Sequence, residues 1–215
     1  MRRAWPLAII SGWLALGTGV VAMGAERAEG AEISGEAERA YRAGKAAPND
    51  SQARRHYQRG IDVARETLKT RPDDPPSLLW LAANLGGEAL THGRLHALGV
   101  ISDIEATLVR LDQQHPDYDH AAAARALGNL YWKAPALISV GSTRKATSYF
   151  LFALGRAPDF PGNQALAAAF FADNGDCARA RPLALAVQNR GDLAAIGLDA
   201  AEWKQLAAQA LARCR

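Results

Sequence analysis

Rings are scarce in this chain. Aromatic residues make up 7% of its 215 residues, while 49% are hydrophobic. Alanine dominates that apolar set, leucine is frequent and β-branched residues are few, a composition that favours helix. No stretch alternates apolar and polar residues, so strands are not expected anywhere. A charge excess is missing too. The 25 Lys and Arg against 22 Asp and Glu leave +3, too little to argue for nucleic acid as a partner. There is no G-x-S-x-G, no phosphate-binding glycine loop and no Cys–His arrangement. No catalytic residue and no cofactor are therefore nominated, and the protein is expected not to be an enzyme.

Cysteine is limited to Cys177 and Cys214. Neither lies near the N-terminus, where a bacterial lipoprotein carries its lipidated residue. The N-terminus itself reads as an export signal. Arg2 and Arg3 form a positive start, Ala4 to Val21 is an uncharged apolar run, and Ala22-Met23-Gly24 supplies the small residues a signal peptidase reads. Residues 1–24 are assigned to the signal and 25–215 to the mature domain, exported to the periplasm by the general secretory route. An uncleaved anchor is the competing reading, weakened by Pro6, Gly12, Gly17 and Gly19. Loss of Arg2 and Arg3 lowers the basic count to 23 and the charge to +1. An even cysteine count in an exported chain permits one bridge. Joining Cys177 to Cys214 would staple the last helix to the preceding hairpin, a stabilisation of roughly 4 kcal/mol in the chain-entropy model. Two unpaired core cysteines are the alternative.

The rest is organised around Leu127 to Pro158. Leu127, Gly128 and Tyr131, then Ala146, Phe150, Ala153 and Pro158, match the two-helix tetratricopeptide signature. There a small residue lets two helices approach and aromatics fill the groove. The gap between the halves is about six residues longer than the ordinary unit of roughly 34 allows. The extra length falls in 133–142, where Pro135 and Gly141 break the helix.

Punctuation recurs along the chain. Pro72-Asp73, Pro116-Asp117 and Pro158-Asp159 each close one amphipathic helix, and each Asp is placed to cap the next. Helices are expected from about residue 36 to Ala46, Ser51 to Thr70, Leu78 to about Thr91, Leu95 to Gln114, His120 to Lys133, Ser142 to Gly155, Gly162 to Asp173 and Asp176 to Asn189. A closing helix, capped at or before Asp199, runs to about Arg213 and hides the last apolar face. Residues 25–33 read as a flexible lead-in. The fold class expected is all-α, a tetratricopeptide-like stack of antiparallel helical hairpins.

Several of these features together resemble the T-component of TRAP-type (tripartite, ATP-independent periplasmic) transporters. They are Leu81-Ala82-Ala83-Asn84-Leu85-Gly86, the run from Gly128 to Pro135, the Gly141 elbow and Ala157-Pro158-Asp159-Phe160. They cover about residues 72 to 175, half of the chain. The chain departs from that family in lacking a lipidated cysteine. It also carries Val140-Gly141 where the elbow usually has paired glycines. The resemblance implies a non-catalytic accessory to solute or lipid uptake. It implies a periplasmic substrate-binding protein or other transport component as partner, and a cavity in the helical stack for a small organic or lipid ligand. Self-association into a homo-oligomer is left open. A protein–protein scaffold without a small-molecule ligand is the alternative.

Eight residues are candidates for ligand or partner contact: Trp80, Asn84, Asn129, Trp132, Lys133, Arg144, Lys145 and Tyr149. Neighbouring aromatics on a helix point about 100° apart, so Tyr131/Trp132 and Tyr149/Phe150 cannot all face one core. Tyr131 and Phe150 hold signature core positions, which leaves Trp132 and Tyr149 for a cavity near Trp80. Asn84 and Asn129 sit mid-helix, where asparagine is a poor choice, and bond either a neighbouring hairpin or a ligand. Lys133, Arg144 and Lys145 bracket the elbow and suit an anionic ligand or an acidic partner; exposure to solvent is their alternative fate. His92 and His96 have the spacing of a helical metal pair, but Gly93 between them and the want of a nearby acid argue against a site. The cluster His115, Asp117, Asp119 and His120 sits at a helix junction where caps are expected. Asp173-Asn174-Gly175-Asp176 reads as a turn, not a calcium loop, because the downstream Glu is missing. No metal site is therefore nominated.

Overall fold

The computed structural model describes residues 35–136, 138–192 and 199–215. The signal at 1–24 and the lead-in at 25–33 lie outside the described residues. Helix α1 covers residues 35–46. It is followed by α2 (Asp50–Thr70), α3 (Pro75–His92), α4 (Arg94–Gln114), α5 (Ala122–Lys133), α6 (Thr143–Arg156), α7 (Pro161–Asp173), α8 (Cys177–Gln188) and α9 (Ala200–Arg213). No strand occurs among the described residues, and no helix there is long and apolar enough to cross a membrane.

Helix starts follow from local chemistry. Asn49, Asp74, Ser142 and Asp176 each accept a hydrogen bond from the backbone N–H three residues on, at 3.0, 3.1, 3.3 and 3.1 Å. Pro75 stands in the first turn of α3, where its missing N–H costs nothing. The acids that follow the repeated prolines do something else. Asp73 binds Arg110 of α4 at 2.6 Å and Asp117 binds Arg156 of α6 at 2.6 Å. Each links the start of a hairpin to the end of its second helix. At the third junction the N-cap of α7 is Phe160, without a side-chain bond, and Arg190 donates to the Asp159 carbonyl. The capping role expected for Asp73, Asp117 and Asp159 is thus overturned: each lies too early in its turn, and a distant guanidinium reaches the carboxylates of Asp73 and Asp117 and the carbonyl of Asp159.

The hairpins α1/α2, α3/α4, α5/α6 and α7/α8 stack in chain order, with α9 laid against α7 and α8. One apolar cluster runs through them all, from Ala37 to Cys214. The tetratricopeptide positions behave as the signature requires. Leu127, Tyr131, Ala146, Phe150 and Ala153 are buried, and a Cβ on Gly128 would stand 2.9 Å from the Phe150 ring. The enlarged elbow closes on itself, the Ser142 N–H donating to the Tyr131 carbonyl at 2.9 Å. Gly141 is needed there because a Cβ would run into the Ala134 carbonyl. Cys177 and Cys214 form a disulfide, Sγ–Sγ 2.09 Å, pinning the end of α9 to the start of α8.

One junction departs from expectation. Helix α5 begins at Ala122, not at His120, because Asp119, His120 and Ala121 are in the left-handed region with φ of 44°, 57° and 61°. Such residues cost on the order of 1 kcal/mol each, so the surroundings must hold them. Fully buried Asn163 of α7 donates to the carbonyls of His120 and Ala153 at 3.1 and 3.0 Å. Arg125 donates to the His120 carbonyl at 3.2 Å and to Asn163 Oδ1 at 3.0 Å. The His120 ring is stacked on Phe160, centroids 4.3 Å apart.

Candidate functional site

The odd-numbered helices face inward. Side chains of α1, α3, α5, α7 and α9, with the turns before α5 and α7, line a half-open cavity of about 650 Å³. That volume is in the range of small-molecule sites, roughly 300–1,000 Å³. The even-numbered helices form the outer layer and do not reach it. On α5 the lining positions are Ala122, Arg125, Ala126 and Asn129, the spacing of one helical face.

Aromatic walls define the cavity. Tyr41 and Trp80 meet at 5.6 Å between centroids, and Phe160 meets Trp203 edge-on at 5.3 Å. The Arg42 guanidinium lies 5.9 Å from the Trp80 ring and that of Arg125 lies 4.8 Å from Phe160. The cations on the wall are matched by acids. Arg42 binds Glu38 at 2.8 Å, Lys45 binds Glu202 at 2.7 Å and Arg125 binds Asp119 at 3.2 Å. Neither sign dominates, so the wall offers rings and balanced charge to an occupant.

Closure of the ring depends on α9. The Asp199 carboxylate lies 3.7 Å from both Arg42 and Lys45, and the Lys45–Glu202 bond joins the same two helices. The cap expected at Asp199 is corrected accordingly. Asp199 occupies the N-cap position of α9 but makes no capping bond, since its carboxylate is directed at α1; the turn before it, the other place expected for the cap, lies outside the described residues. Lys45 responds to this setting. Burial pulls its pKa down, but the Glu202 hydrogen bond and the Tyr41, Glu202 and Asp199 charges outweigh that, so the net direction is upward. Burial pushes Tyr118 up to about 12, with Asp119, Asp74 and Glu38 adding to it. Burial also lowers Arg125, against the opposing pull of Asp119.

The candidate residues divide. Trp80 and Asn129 line the cavity. Asn84 does not: it is fully buried, and its amide donates to the carbonyls of Ala37 at 3.1 Å and Trp80 at 2.7 Å, tying α3 to α1. Trp132 lies one turn beyond Asn129, where α7 and α9 close in. Its ring meets Phe150 and Phe170 edge-on at 6.4 and 5.9 Å and borders a recess of only about 70 Å³. Tyr149 stacks on Tyr131 at 5.5 Å, away from the cavity. Lys133 sits over the Trp132 ring at 3.1 Å, and Lys145 lies 4.6 Å from the Tyr131 ring and 3.4 Å from Glu105. Arg144 is exposed. The cavity expected beside Trp80, Trp132 and Tyr149 thus adjoins only the first, because the elbow packs its own rings.

Sequence reasoning missed Tyr41, Lys45, Arg125, Glu202 and Trp203. The closing helix was legible as a cap, but its place as a wall depends on the course of the whole stack. It also missed Glu88. His92 lies 2.8 Å and His96 3.5 Å from the Glu88 carboxylate, so the acid expected to be wanting is present. The other cluster is dispersed. His115 bonds the Asp73 carbonyl at 3.0 Å, Asp117 and Asp119 pair with arginines, and His120 stacks on Phe160. Asp173 pairs with Arg213, and Asp176 caps α8 and binds Arg179.

No protein-family model matches this chain, and no curated protein matches it at a significant level.

Proposed function

We propose that the protein is a non-catalytic periplasmic binding component, an accessory to solute or lipid uptake. In this reading it holds a small organic ligand in the five-helix cavity and docks to a substrate-binding protein or another transport component. The carrying observation is the cavity of about 650 Å³ between Trp80, Asn129, Phe160 and Trp203. Aromatic walls suit an apolar body, and the paired charges at Arg42, Lys45 and Arg125 suit a polar or zwitterionic end. The disulfide fits an oxidising compartment. The resemblance of residues 72–175 to TRAP T-components supports the transport assignment.

Native mass spectrometry of the mature protein purified from its own host's periplasm tests the reading. A co-purifying small molecule is expected from the wild type and not from Trp80→Ala combined with Asn129→Leu. Wild-type protein that is always empty, or a molecule retained by that double variant, would overturn ligand carriage in this cavity. A scaffold without a ligand is the second reading. Leu90 and Ile138, 75% and 69% exposed at two elbows, favour it because a protein partner would cover them. Empty protein that brings down one partner chain, and loses it on Leu90→Ser with Ile138→Ser, is the result that reading expects.

A further inference from the structure

Outside the cavity, the α3–α4 elbow gathers three ligand-type side chains. Glu88 and His92 are four residues apart in the last turn of α3 and so share a face. Gly93 then turns the chain with φ 93° and ψ 171°. This backbone is open to glycine and strained for other residues. The turn brings His96, in the first turn of α4, back over the same carboxylate. His92 Nε2 lies 2.8 Å from Glu88 Oε1 and His96 Nε2 lies 3.5 Å from Glu88 Oε2. The two imidazole rings are 4.4 Å apart, and the three ligand atoms all lie within 4.8 Å of one another.

We propose that Glu88, His92 and His96 form a binding site for one divalent transition-metal ion, zinc being the probe that fits best. Zinc binds imidazole and carboxylate at roughly 2.0–2.2 Å in tetrahedral geometry, which sets neighbouring donors about 3.3–3.5 Å apart. The two histidine nitrogens lie 2.8 and 3.5 Å from the Glu88 oxygens, on either side of that spacing, and all three ligand atoms lie within 4.8 Å of one another, so side-chain adjustment completes the triad. Two imidazoles and one carboxylate select zinc, copper or nickel over magnesium or calcium, which prefer oxygen donors alone. Three protein ligands leave the fourth position to water. The turn carrying them is anchored. Thr91 donates to the Glu88 carbonyl at 2.6 Å, and Arg54 of α2 donates to the Thr91 carbonyl at 3.1 Å. Binding would lock α3 to α4 through ligands on both sides of the elbow.

The test is zinc titration of the chelator-treated mature protein by calorimetry, with cobalt absorption reporting coordination geometry. One equivalent per chain is expected, with a cobalt spectrum of low coordination number. His92→Ala and His96→Ala should each weaken binding by at least about tenfold, the scale that even supporting groups carry at metal sites. Gly93→Ala should weaken it too, by displacing His96 without removing a ligand. Circular dichroism checks that each variant keeps its helix content, and the exposed position of both histidines makes that the expected result. No zinc binding by the wild type, or binding undiminished in the His92→Ala/His96→Ala double variant, would overturn the site.

Discussion

Trp80 and Trp132 occupy inner helices of successive hairpins and do opposite things. Trp80 borders the cavity, with Tyr41 against its face and Arg42 nearby. Trp132 is wedged edge-on against Phe150 and Phe170, with Lys133 over its ring. The residue type is the same and so is the helical environment. The difference lies in what stands opposite: the open cavity for Trp80, and converging α7 and α9 for Trp132. A tryptophan on an inner helix therefore does not mark a binding site unless the neighbouring helices diverge in front of it.

Truncating each ring breaks the comparison most directly. Phe150→Ala is expected to cost about 3–5 kcal/mol of stability, because it empties a fully buried site. Trp132→Ala, partly exposed, should cost about 2–4 kcal/mol. Trp80→Ala should cost about 1–3 kcal/mol, less than Trp132→Ala because one side of its ring borders the cavity while Tyr41 and Arg42 pack on it, yet it should abolish any ligand retention. Urea unfolding of the three variants measures the order, and a Trp80→Ala cost equal to that of Trp132→Ala would erase the distinction.

Alkali sharpens it at the next scale. All five tyrosines, Tyr41, Tyr57, Tyr118, Tyr131 and Tyr149, have pKa values raised above the ordinary range, in each case chiefly by burial. A folded pKa raised above the unfolded value gives stability that is present below the unfolded pKa and lost as pH rises through the folded one. The loss should begin near pH 10, the ordinary tyrosine value, and continue through about 12, where Tyr118 titrates. Ultraviolet titration followed alongside circular dichroism should find tyrosinate appearing together with helix loss. Tyrosines of the cavity wall, Tyr41 and Tyr118, ionising near 10 in an intact fold would mean that the cavity is far wetter than its packing implies.

The smallest effect concerns closure of the ring. Lys45 is more than a third exposed, so Lys45→Ala should cost less than about 1 kcal/mol. Its consequence is geometric: loss of the bonds to Glu202 and Asp199 should let α1 and α9 separate. Spin labels on those two helices should record a longer and broader distance distribution in the variant than in the wild type. The raised pKa of Lys45 gives the same sign, closure being kept in full below its ordinary value and lost as pH climbs through the raised one. An unchanged distribution would assign closure to the Trp203 packing instead.

Local chemistry alone determined much of this protein. Proline, glycine and capping residues punctuate the chain within a residue or two of the observed helix ends, because they act through backbone geometry and bonds to the nearest N–H groups. The tetratricopeptide positions Leu127, Gly128, Tyr131 and Phe150 were legible for a related reason: a fixed spacing on two adjacent helices fixes their contact. The cysteine pair was legible because only one bridge could be drawn. Tertiary structure alone decided the rest. Whether Trp80, Asn129 and Trp132 face a gap or a packed helix depends on the accumulated twist of the stack. Asn84 could be assigned to α1 only once Ala37 stood beside it. His96 reaches the Glu88–His92 pair only because Gly93 turns the chain between the two helices, a turn whose angle the residue permits but does not dictate. The meeting of Lys45 with Glu202, 157 residues apart, required four hairpins to come round before any charge could attract another.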